Sequence, residues 1–310
     1  MAGKIDSAQT ESKNMKNVGD ILLSMIPTNP IQAMVEANML AIIVFSIFFG
    51  VSLTMINEGP RSKVLGVLEG INDAMITMVG VIMSLAPYGV FAIIAAVTAT
   101  LGIDFLLSLV NYAIVTISAL VLYFLIFYGL VIQIFGGISP IKFFKEMRPV
   151  MLFAFSTSSS NATLPENMRV CSEKLGVSRE VVSFTLPLGA TVNMDGTAIY
   201  QGISAMFIAQ VFGIPLGLEQ QLMIVLTASL ASIGAAGVPG IGMVTLALVL
   251  SSVGLPAAGI ALVLGVERIL DMVRTMLNVT GDAAASVVVG KSEGALNPPE
   301  EIRNRKPKKA

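Results

Sequence analysis

A row of ionisable side chains interrupts an apolar part of the sequence. The stretch 267–282, ERILDMVRTMLNVTGD, lies between the apolar runs ALVLGV and AAASVVVG. At about 100° per residue, five of its polar positions fall within roughly 80° of arc on one helix. Ionisable groups at bilayer depth are costly and usually face a partner, a cavity or a transport path. We therefore interpret this stripe as the wall of a binding site inside a membrane protein. Its members are Glu267, Asp271, Arg274, Asn278 and Asp282.

The composition agrees with a polytopic, all-α membrane protein. Of the 310 residues, 55% are hydrophobic and only 13% are charged, and the mean hydropathy is +0.82, far above the average of soluble proteins. The chain has no histidine and one cysteine. This excludes histidine-based catalysis, haem ligation by histidine, a cysteine-rich metal site and a disulfide framework within the chain.

Apolar segments divide the chain. Full spans are predicted at about 38–56, at 70–100 with a kink near Pro87, and at 106–134, with a polar turn at 57–67. Four further segments carry polar or glycine-rich interruptions, and they cover about 149–168, 178–212, 220–253 and 257–290. Polar segments at 1–19 and 291–310 precede and follow these apolar segments, and the second is expected to be a disordered cytoplasmic tail.

The positions of lysine and arginine predict the topology. Cation clusters flank 149–168 on both sides, whereas the loops on both sides of 220–253 have no cation. By the positive-inside rule the first segment enters and leaves from the cytoplasm, and the second from outside. The sequence therefore predicts two re-entrant hairpins of opposite orientation, each preceding a helix with polar residues in mid-membrane. This is an inverted repeat, whose binding site forms where the broken elements meet.

The N-terminal segment does not fit this topology. The same alternation places residues 1–20 outside, although they carry Lys4, Lys13 and Lys16 and no export signal. We expect from this that the chain is the C-terminal part of a longer transporter whose first helices lie upstream.

The motif NMDGT at 193–197 interrupts an apolar helix. Asparagine and glycine unwind the helix and free backbone carbonyls, and Asp195 adds a carboxylate. Oxygen ligands in a low-dielectric site suit a hard cation, and Asn278 and Asp282 are able to complete the set. The alternative is a helix kink stabilised by hydrogen bonds of Asn193 and Asp195.

Two hairpin tips are expected to face this motif. The tip STSSSNATLP offers hydroxyls and backbone N–H groups, which attract carboxylates at the ends of half-helices. The tip IGAAGVPG is small and flexible enough to close on a ligand and open again. The alternatives are a polar cytoplasmic loop for the first tip and a helix-packing motif for the second.

The substrate is predicted from the stripe itself. Arg274 is suited to hold a carboxylate bidentately, and Asp271 is suited to hold an ammonium group. A ligand with a carboxylate at each end and an amine matches both. The alternative is an internal Asp271–Arg274 ion pair that only holds the helix in place. Glu267 and Arg268, one turn earlier, are expected to form a solvated pair.

Three runs of the sequence resemble the dicarboxylate/amino acid:cation symporter family, the glutamate transporter homologues. They are SFTLPLGATVNMDGTAIYQG, TASLASIGAAGVPGIG and ILDMVRTMLNVTGD. Together with IPTNP near the start, the resemblance covers about 20–291.

The resemblance implies an all-α, glutamate-transporter-like fold with two opposed re-entrant hairpins and a broken seventh helix. It also implies a homotrimer in which a mobile transport domain moves like an elevator along a scaffold. Segment 20–135 is then the scaffold with peripheral helices, the family's helices 4 to 6, and 136–290 the transport core. The protein is expected in the cell (inner) membrane, multi-pass, with a cytoplasmic C-terminus and no nucleic-acid partner.

The motif match also implies ligands. Asp271 would hold the substrate amine and Arg274 its side-chain carboxylate, and sodium would be the co-transported ion, with no organic cofactor. The implied substrate residues are Ser159, Ser160, Thr197, Val238, Gly242, Asp271, Arg274, Thr275 and Asn278. The implied cation sites are, first, Gly189, Asn193, Asn278 and Asp282; second, Thr191 with Ser232, Ile233 and Ala235; third, Asn193 with Asp195.

The chain departs from the family pattern in three ways. The family's first three helices are missing, and Ser158 stands where some members carry arginine. The tip reads SSSNATLP, whereas many members read SSS followed directly by a small residue and TLP.

The resemblance also bears on the substrate. Members for dicarboxylates without an amine lack the counterpart of Asp271, and members for neutral amino acids lack that of Arg274. We therefore expect symport of glutamate or aspartate with sodium. The alternatives are a proton-coupled or dicarboxylate symporter, a membrane-embedded enzyme using Asp195 and Asp282, and a channel or non-transporting fragment.

Overall fold

The computed structural model describes residues 27–35, 39–233, 235 and 237–297. The predicted polar segment 1–19 and positions 298–310 of the predicted tail lie outside these ranges. Within them, apart from one isolated bridge, the elements are helical.

The first four helices are α1 Pro30–Val35, α2 Met39–Met55, α3 Glu58–Ser84 and α4 Ala86–Leu101. Helix α5 has four consecutive parts: α-helical Ile103–Tyr123, π-helical Phe124–Tyr128, α-helical Gly129–Val131 and π-helical Ile132–Gly136. The remaining helices are α6 Pro140–Glu146, α7 Arg148–Thr157, α8 Ser160–Glu173, α9 Arg179–Val192, α10 Asp195–Val211, α11 Leu218–Ile233, α12 Ile241–Ser252 and, after a 3-10 turn at Ala257–Gly259, α13 Ile260–Ser292.

The predicted turn at 57–67 is wrong, because α3 begins at Glu58 and runs through it. Its charged side chains are good helix formers, and an acidic residue in the first turn suits the helix dipole. The predicted kink is a complete break, because α3 ends at Ser84 and α4 begins at Ala86 with Pro87 in its first turn. A proline is tolerated at that point since the first N–H groups of a helix have no intrahelical partner.

Helix α13 is the central element. It has 33 residues. The helices that pack against it include α5, α7, α8, α9, α10 and α12. Two clusters of buried apolar side chains surround it. One includes Leu270 in the N-terminal half of α13, and the other includes Val273 and apolar residues of the C-terminal half. The predicted polar stripe is therefore buried where the two clusters meet.

The predicted interruptions occur at short, non-helical tips. Helices α7 and α8 pack together and are joined by Ser158 and Ser159, with Ser158 in the left-handed region at φ 52°. Helices α9 and α10 are separated by Asn193 and Met194, both outside helical geometry. Helices α11 and α12 pack together around the glycine-rich tip. The structure thus has two helical hairpins and a broken helix, all beside α13.

Helix α5 is long and apolar. The portion Leu106–Gly136 has a mean hydropathy of 2.5 and the length needed to cross a membrane, and it is the one such helix in the described ranges. Shorter apolar helices lie at Val44–Met55, Leu218–Ile233 and Ile241–Ser252. Large apolar side chains on α5, such as Leu122, Ile126 and Leu130, are exposed. An apolar surface of this kind suits contact with lipid.

The residues after α13 return to the protein. Leu296 forms an antiparallel bridge with Val177, and the backbone N–H groups of Ser178 and Asn297 donate to Ala295 and Gly176. The first part of the predicted tail, 291–297, is therefore packed beside the start of α9.

Candidate functional site

Arg274 forms the centre of the buried stripe. Its side chain is 1% exposed, and its Nη2 atom lies 2.7 Å from both Glu267 Oε1 and Asp271 Oδ1. The ring of Tyr200 on α10 stacks on the guanidinium at 3.9 Å. The predicted solvated pair of Glu267 and Arg268 is wrong, because Glu267 is buried and Arg268 is exposed. The reason is helical spacing: two turns separate Glu267 from Arg274, so both lie on the buried face.

Two nitrogen atoms of the Arg274 guanidinium have no partner among the described residues. In the part of the chain that the structure describes, its Nε and Nη1 atoms have no hydrogen-bond partner. A Cβ atom at Gly242, in the first turn of α12, would lie 2.5 Å from Nη1. Thr275 is buried next to Arg274, and Thr197 accepts a hydrogen bond from Asn278 Nδ2 at 3.5 Å. Unpartnered guanidinium donors beside a residue without a side chain are suited to donate to a carboxylate.

The two hairpin tips meet over this region. The Ser159 hydroxyl donates to the carbonyl of Gly237 at 2.7 Å, and the backbone N–H of Asn161 donates to the same carbonyl at 3.2 Å. The backbone N–H of Gly240 donates to Asp271 Oδ2 at 3.0 Å. The second tip is therefore bonded both to the first tip and to the stripe. Ser160, which is buried, and Val238 lie in these tips.

The break between α9 and α10 is bonded to α13. The Asn193 amide donates to Asp282 Oδ1 at 2.9 Å and to the carbonyl of Asn278 at 3.2 Å. The Gly196 N–H, free at the start of α10, donates to Asn278 Oδ1 at 2.8 Å. A Cβ atom at Gly189 would lie 2.7 Å from Asp282 Oδ1, so only glycine allows this approach. The structure thus brings together the first predicted cation set.

Asp195 is held by two tyrosines that sequence reasoning missed. The hydroxyls of Tyr123 and Tyr128 donate to its Oδ2 at 2.9 and 3.0 Å. On an α-helix, residues five apart point about 140° apart. The π turn Phe124–Tyr128, whose hydrogen bonds join i to i+5, brings them nearer to one face. A Cβ atom at Gly281 would collide with the Tyr128 hydroxyl, so this glycine leaves the space that Tyr128 occupies.

The second predicted cation set is not assembled to the same degree. Thr191 is exposed and its hydroxyl donates to its own helix, as does that of Ser232. The Ser232 carbonyl accepts from the N–H of Ala235, and Ile233 is 41% exposed. Helices α9 and α11 do pack together, but no hydrogen bond among the described residues joins Thr191 to the other three.

Other site residues lie on α10 and had a signal in the sequence. Thr197, Tyr200, Gln201 and Ser204 recur at helical spacing and are all buried. Gln201 donates to Thr245 Oγ1 at 2.5 Å and so links α10 to the second hairpin. The spacing predicts one polar face that turns inward, although it does not identify the partners.

The charges of the site favour cations. Its carboxylates belong to Asp195, Glu267, Asp271 and Asp282, and its guanidinium is that of Arg274. Excess negative charge away from water is unfavourable unless it is compensated. Among the described residues, no group of three or more histidine, cysteine or carboxylate side chains is placed to hold a metal. A cation here would rely on one carboxylate with amide, hydroxyl and backbone oxygens, which suits a weakly held hard cation.

The sequence matches the sodium:dicarboxylate symporter family over residues 2–292. It is 41% identical to the proton/sodium-glutamate symport protein of Bacillus subtilis (strain 168), with 93% of this chain and 66% of that protein covered. It is 38% identical to the proton/glutamate-aspartate symporter of Escherichia coli (strain K12), with 88% and 62% covered. It is also 38% identical to the C4-dicarboxylate transport protein 1 of Mesorhizobium japonicum, with 91% and 59% covered.

The chain therefore belongs to the sodium:dicarboxylate symporter family. It is a membrane protein of a transporter family and not an enzyme, so the interpretation of Asp195 and Asp282 as a catalytic pair is wrong. It spans between 59% and 66% of the length of these three relatives.

Proposed function

We propose that the protein carries an acidic amino acid, glutamate or aspartate, across the cell (inner) membrane together with sodium. The single observation that carries this proposal is the pair of unpartnered donors Nε and Nη1 of Arg274, which lies three residues from Asp271 and beneath the meeting hairpin tips. A dicarboxylate with an amine fits both groups at once: its side-chain carboxylate takes the guanidinium and its ammonium takes Asp271.

We propose the rest of the substrate shell around these two groups. Thr197, Thr275 and Asn278 flank the two charged groups, and all three are buried. The backbone of the two tips supplies donors for the substrate's α-carboxylate, at Ser159 and Ser160 on one side and near Val238 and Gly242 on the other.

Sodium is proposed to bind around the broken helix. The first site takes oxygen atoms near Gly189, Asn193, Asn278 and Asp282, which already contact one another through the Asn193 amide. A third site uses Asn193 and Asp195. A second site uses Thr191, Ser232, Ile233 and Ala235. Hard oxygen ligands suit sodium in each case.

Asn278 is the residue through which the two ligands are coupled. Its carbonyl and its side-chain oxygen accept bonds from Asn193 and Gly196 on the broken helix, and its Nδ2 lies 3.5 Å from Thr197 beside the substrate position. A cation that orders Asn193 therefore orders the substrate side, and the coupling is reciprocal.

The proposed mechanism is an elevator with alternating access in a homotrimer. The hairpins α7–α8 and α11–α12 are re-entrant from opposite sides, the second acts as the outer gate, and the C-terminus is cytoplasmic. The core comprises 136–290 with α5 added to it, and α1 to α4 form the scaffold and periphery. Because Tyr112 bonds Ser204 and two tyrosines bond Asp195, we place α5 on the core side of that division.

A second candidate is transport of a C4-dicarboxylate without an amine, or coupling to protons alone. Relatives named for both activities support it. The buried carboxylate of Asp271 favours the amino acid, because a dicarboxylate without an amine offers it no counter-charge.

The test is ligand-dependent thermal stability of the purified protein. L-aspartate is expected to raise the Tm in sodium buffer and not in potassium buffer. Arg274→Cys should lose the aspartate effect, whereas Arg268→Cys, an exposed arginine on the same helix, should keep it. An unchanged aspartate affinity in Arg274→Cys would contradict the assignment of the substrate.

A further inference from the structure

Six exposed cationic side chains at one end of the core have no ion-pair partner among the described residues. The ion pairs in these ranges belong to Arg169 and to the buried Arg274. The carboxylates at this end that Arg169 does not hold are Glu146, Glu180 and Glu293, so cations are in excess. We call the six residues the basic face. They are Lys142 and Lys145 on α6, Arg148 at the start of α7, Lys174 and Arg179 at the two ends of the loop between α8 and α9, and Lys291 in the last turn of α13.

The basic face begins where the apolar surface of α5 ends. Phe135, in the last turn of α5, is 58% exposed. A Cβ atom at Gly137 would lie 2.9 Å from Nζ of Lys291, so this ammonium group lies directly beyond α5. Ile141, which is 82% exposed, precedes Lys142 on α6. Cations at the edge of an apolar surface that suits lipid lie at the depth of the head groups, which long side chains reach by snorkelling.

The segment after α13 is held against the same end of the protein. The backbone N–H of Asn297 donates to the carbonyl of Gly176 at 2.8 Å, and the N–H of Ser178 donates to the carbonyl of Ala295 at 2.9 Å. These bonds fix Asn297 beside the loop that joins α8 to α9, which carries two cations of the basic face. The chain therefore continues beyond Asn297 from the basic face itself.

The sequence beyond Asn297 adds further cations. Residues 302–310 read IRNRKPKKA, with five cations and no acidic side chain. Position 302 lies within a reach of at most about 18 Å from Asn297, because an extended chain covers about 3.6 Å per residue. A cluster of about four to eight lysines and arginines directly after a membrane helix, on its cytoplasmic side, is typical of a segment that binds anionic lipids. The five cations are Arg303, Arg305, Lys306, Lys308 and Lys309.

The opposite end of the core has a different charge. The loops at 213–220 and 251–258 contain no lysine or arginine, and Glu219 is exposed in the first turn of α11. An anionic surface is therefore attracted to one end of the protein only. The attraction is one between exposed charges, so salt should screen it.

We propose that the basic face and the cations of 303–309 together bind the head groups of anionic phospholipids in the cytoplasmic leaflet. The phosphate oxygens of these lipids accept from the lysine and arginine side chains, and the acyl chains pack on the apolar surface of α5 and on Ile141. This inference rests on the proposed cytoplasmic position of the C-terminus. It does not depend on which substrate or cation the protein carries.

Lipid affinities of the purified protein in a neutral detergent test the proposal. Phosphatidylglycerol, which is anionic, is compared with phosphatidylcholine, which has the same acyl chains and no net charge, by microscale thermophoresis. Phosphatidylglycerol should bind more tightly at low salt, and the difference should shrink at high salt. The triple variant Lys142→Gln, Lys145→Gln, Arg148→Gln should bind phosphatidylglycerol about a hundredfold more weakly, because each cation near an anionic surface contributes about fivefold.

A second variant tests the cations beyond Asn297 separately. Replacing all five cations of 303–309 with glutamine should weaken phosphatidylglycerol binding by at least about tenfold. Combining both sets of substitutions should remove the preference for phosphatidylglycerol. Arg268→Gln is the control, because this exposed arginine lies in the first third of α13, away from the basic face. It should match the wild type.

Three results would overturn the proposal. They are equal affinities of the wild type for the two lipids, a phosphatidylglycerol affinity that neither cation variant lowers, and displacement of phosphatidylglycerol by an equal concentration of inorganic phosphate. The last would assign the surface to free anions. None of these results bears on the proposed aspartate symport, which aspartate-dependent stability tests separately.

Discussion

Gly242 and Arg274 are in contact across the site, so that a Cβ atom at Gly242 would lie 2.5 Å from Nη1 of the guanidinium. Gly242→Ala should therefore displace either the second hairpin or the guanidinium. Overpacking of a filled site costs about 1–3 kcal/mol, so aspartate affinity should fall by about tenfold to a hundredfold. Gly202→Ala is the matched control, because a Cβ there would meet nothing within 4 Å. Equal affinities of both variants, measured by calorimetry, would contradict this packing.

Asp271 is expected to distinguish amino acids from simple dicarboxylates. Asp271→Asn removes the charge opposite the ammonium group, and breaking a buried ion pair costs about 3–5 kcal/mol. Aspartate binding should weaken at least about a hundredfold, whereas succinate, which has no amine, should bind no worse than it does to the wild type. A parallel loss of both ligands in a competition assay would show that Asp271 only positions Arg274.

Tyr128 is expected to stabilise Asp195 when no cation is present. Tyr128→Phe removes one of two donors to Oδ2, and a hydrogen bond to a charged group contributes about 1.5–3 kcal/mol. In sodium-free buffer the variant should melt below the wild type. Sodium should raise its Tm by more than it raises that of the wild type, because the cation replaces the lost donor. Identical sodium-dependent shifts would place the cation away from Asp195.

Asp282 is expected to serve the cation and not the substrate directly. Asp282→Asn keeps the shape of the side chain and its contact with Asn193 but removes the charge that attracts a cation. Sodium affinity, measured by stabilisation without substrate, should fall by at least about tenfold, and aspartate affinity at saturating sodium should fall less. Loss of aspartate binding at all sodium concentrations would contradict this division of roles.

The sequence predicted the elements of the core well because their signals are local. The stripe from Glu267 to Asp282 needed only helical spacing, and the break at Asn193 needed only the low helix propensity of asparagine and glycine. The start of α3 was missed because charged residues look like a turn when they interrupt apolar runs, although they are good helix formers.

Long-range partners could not be predicted from the sequence. Tyr123 and Tyr128 are five residues apart, a spacing that places them on different faces of an α-helix, and the π turn that brings them to Asp195 has no clear sequence signal. Glu267 was expected to face solvent with its neighbour Arg268, whereas the buried guanidinium two turns away is its partner. Such choices depend on the packing of α10 and α13, which only the assembled fold determines.

The central claim is tested most directly by uptake of labelled aspartate into proteoliposomes containing the purified protein, with equal pH on both sides. An inward sodium gradient should drive accumulation of aspartate above the external concentration, and replacing Arg274 with cysteine should abolish it. Failure of a sodium gradient to drive any accumulation, while a proton gradient alone does so, would contradict sodium-coupled symport.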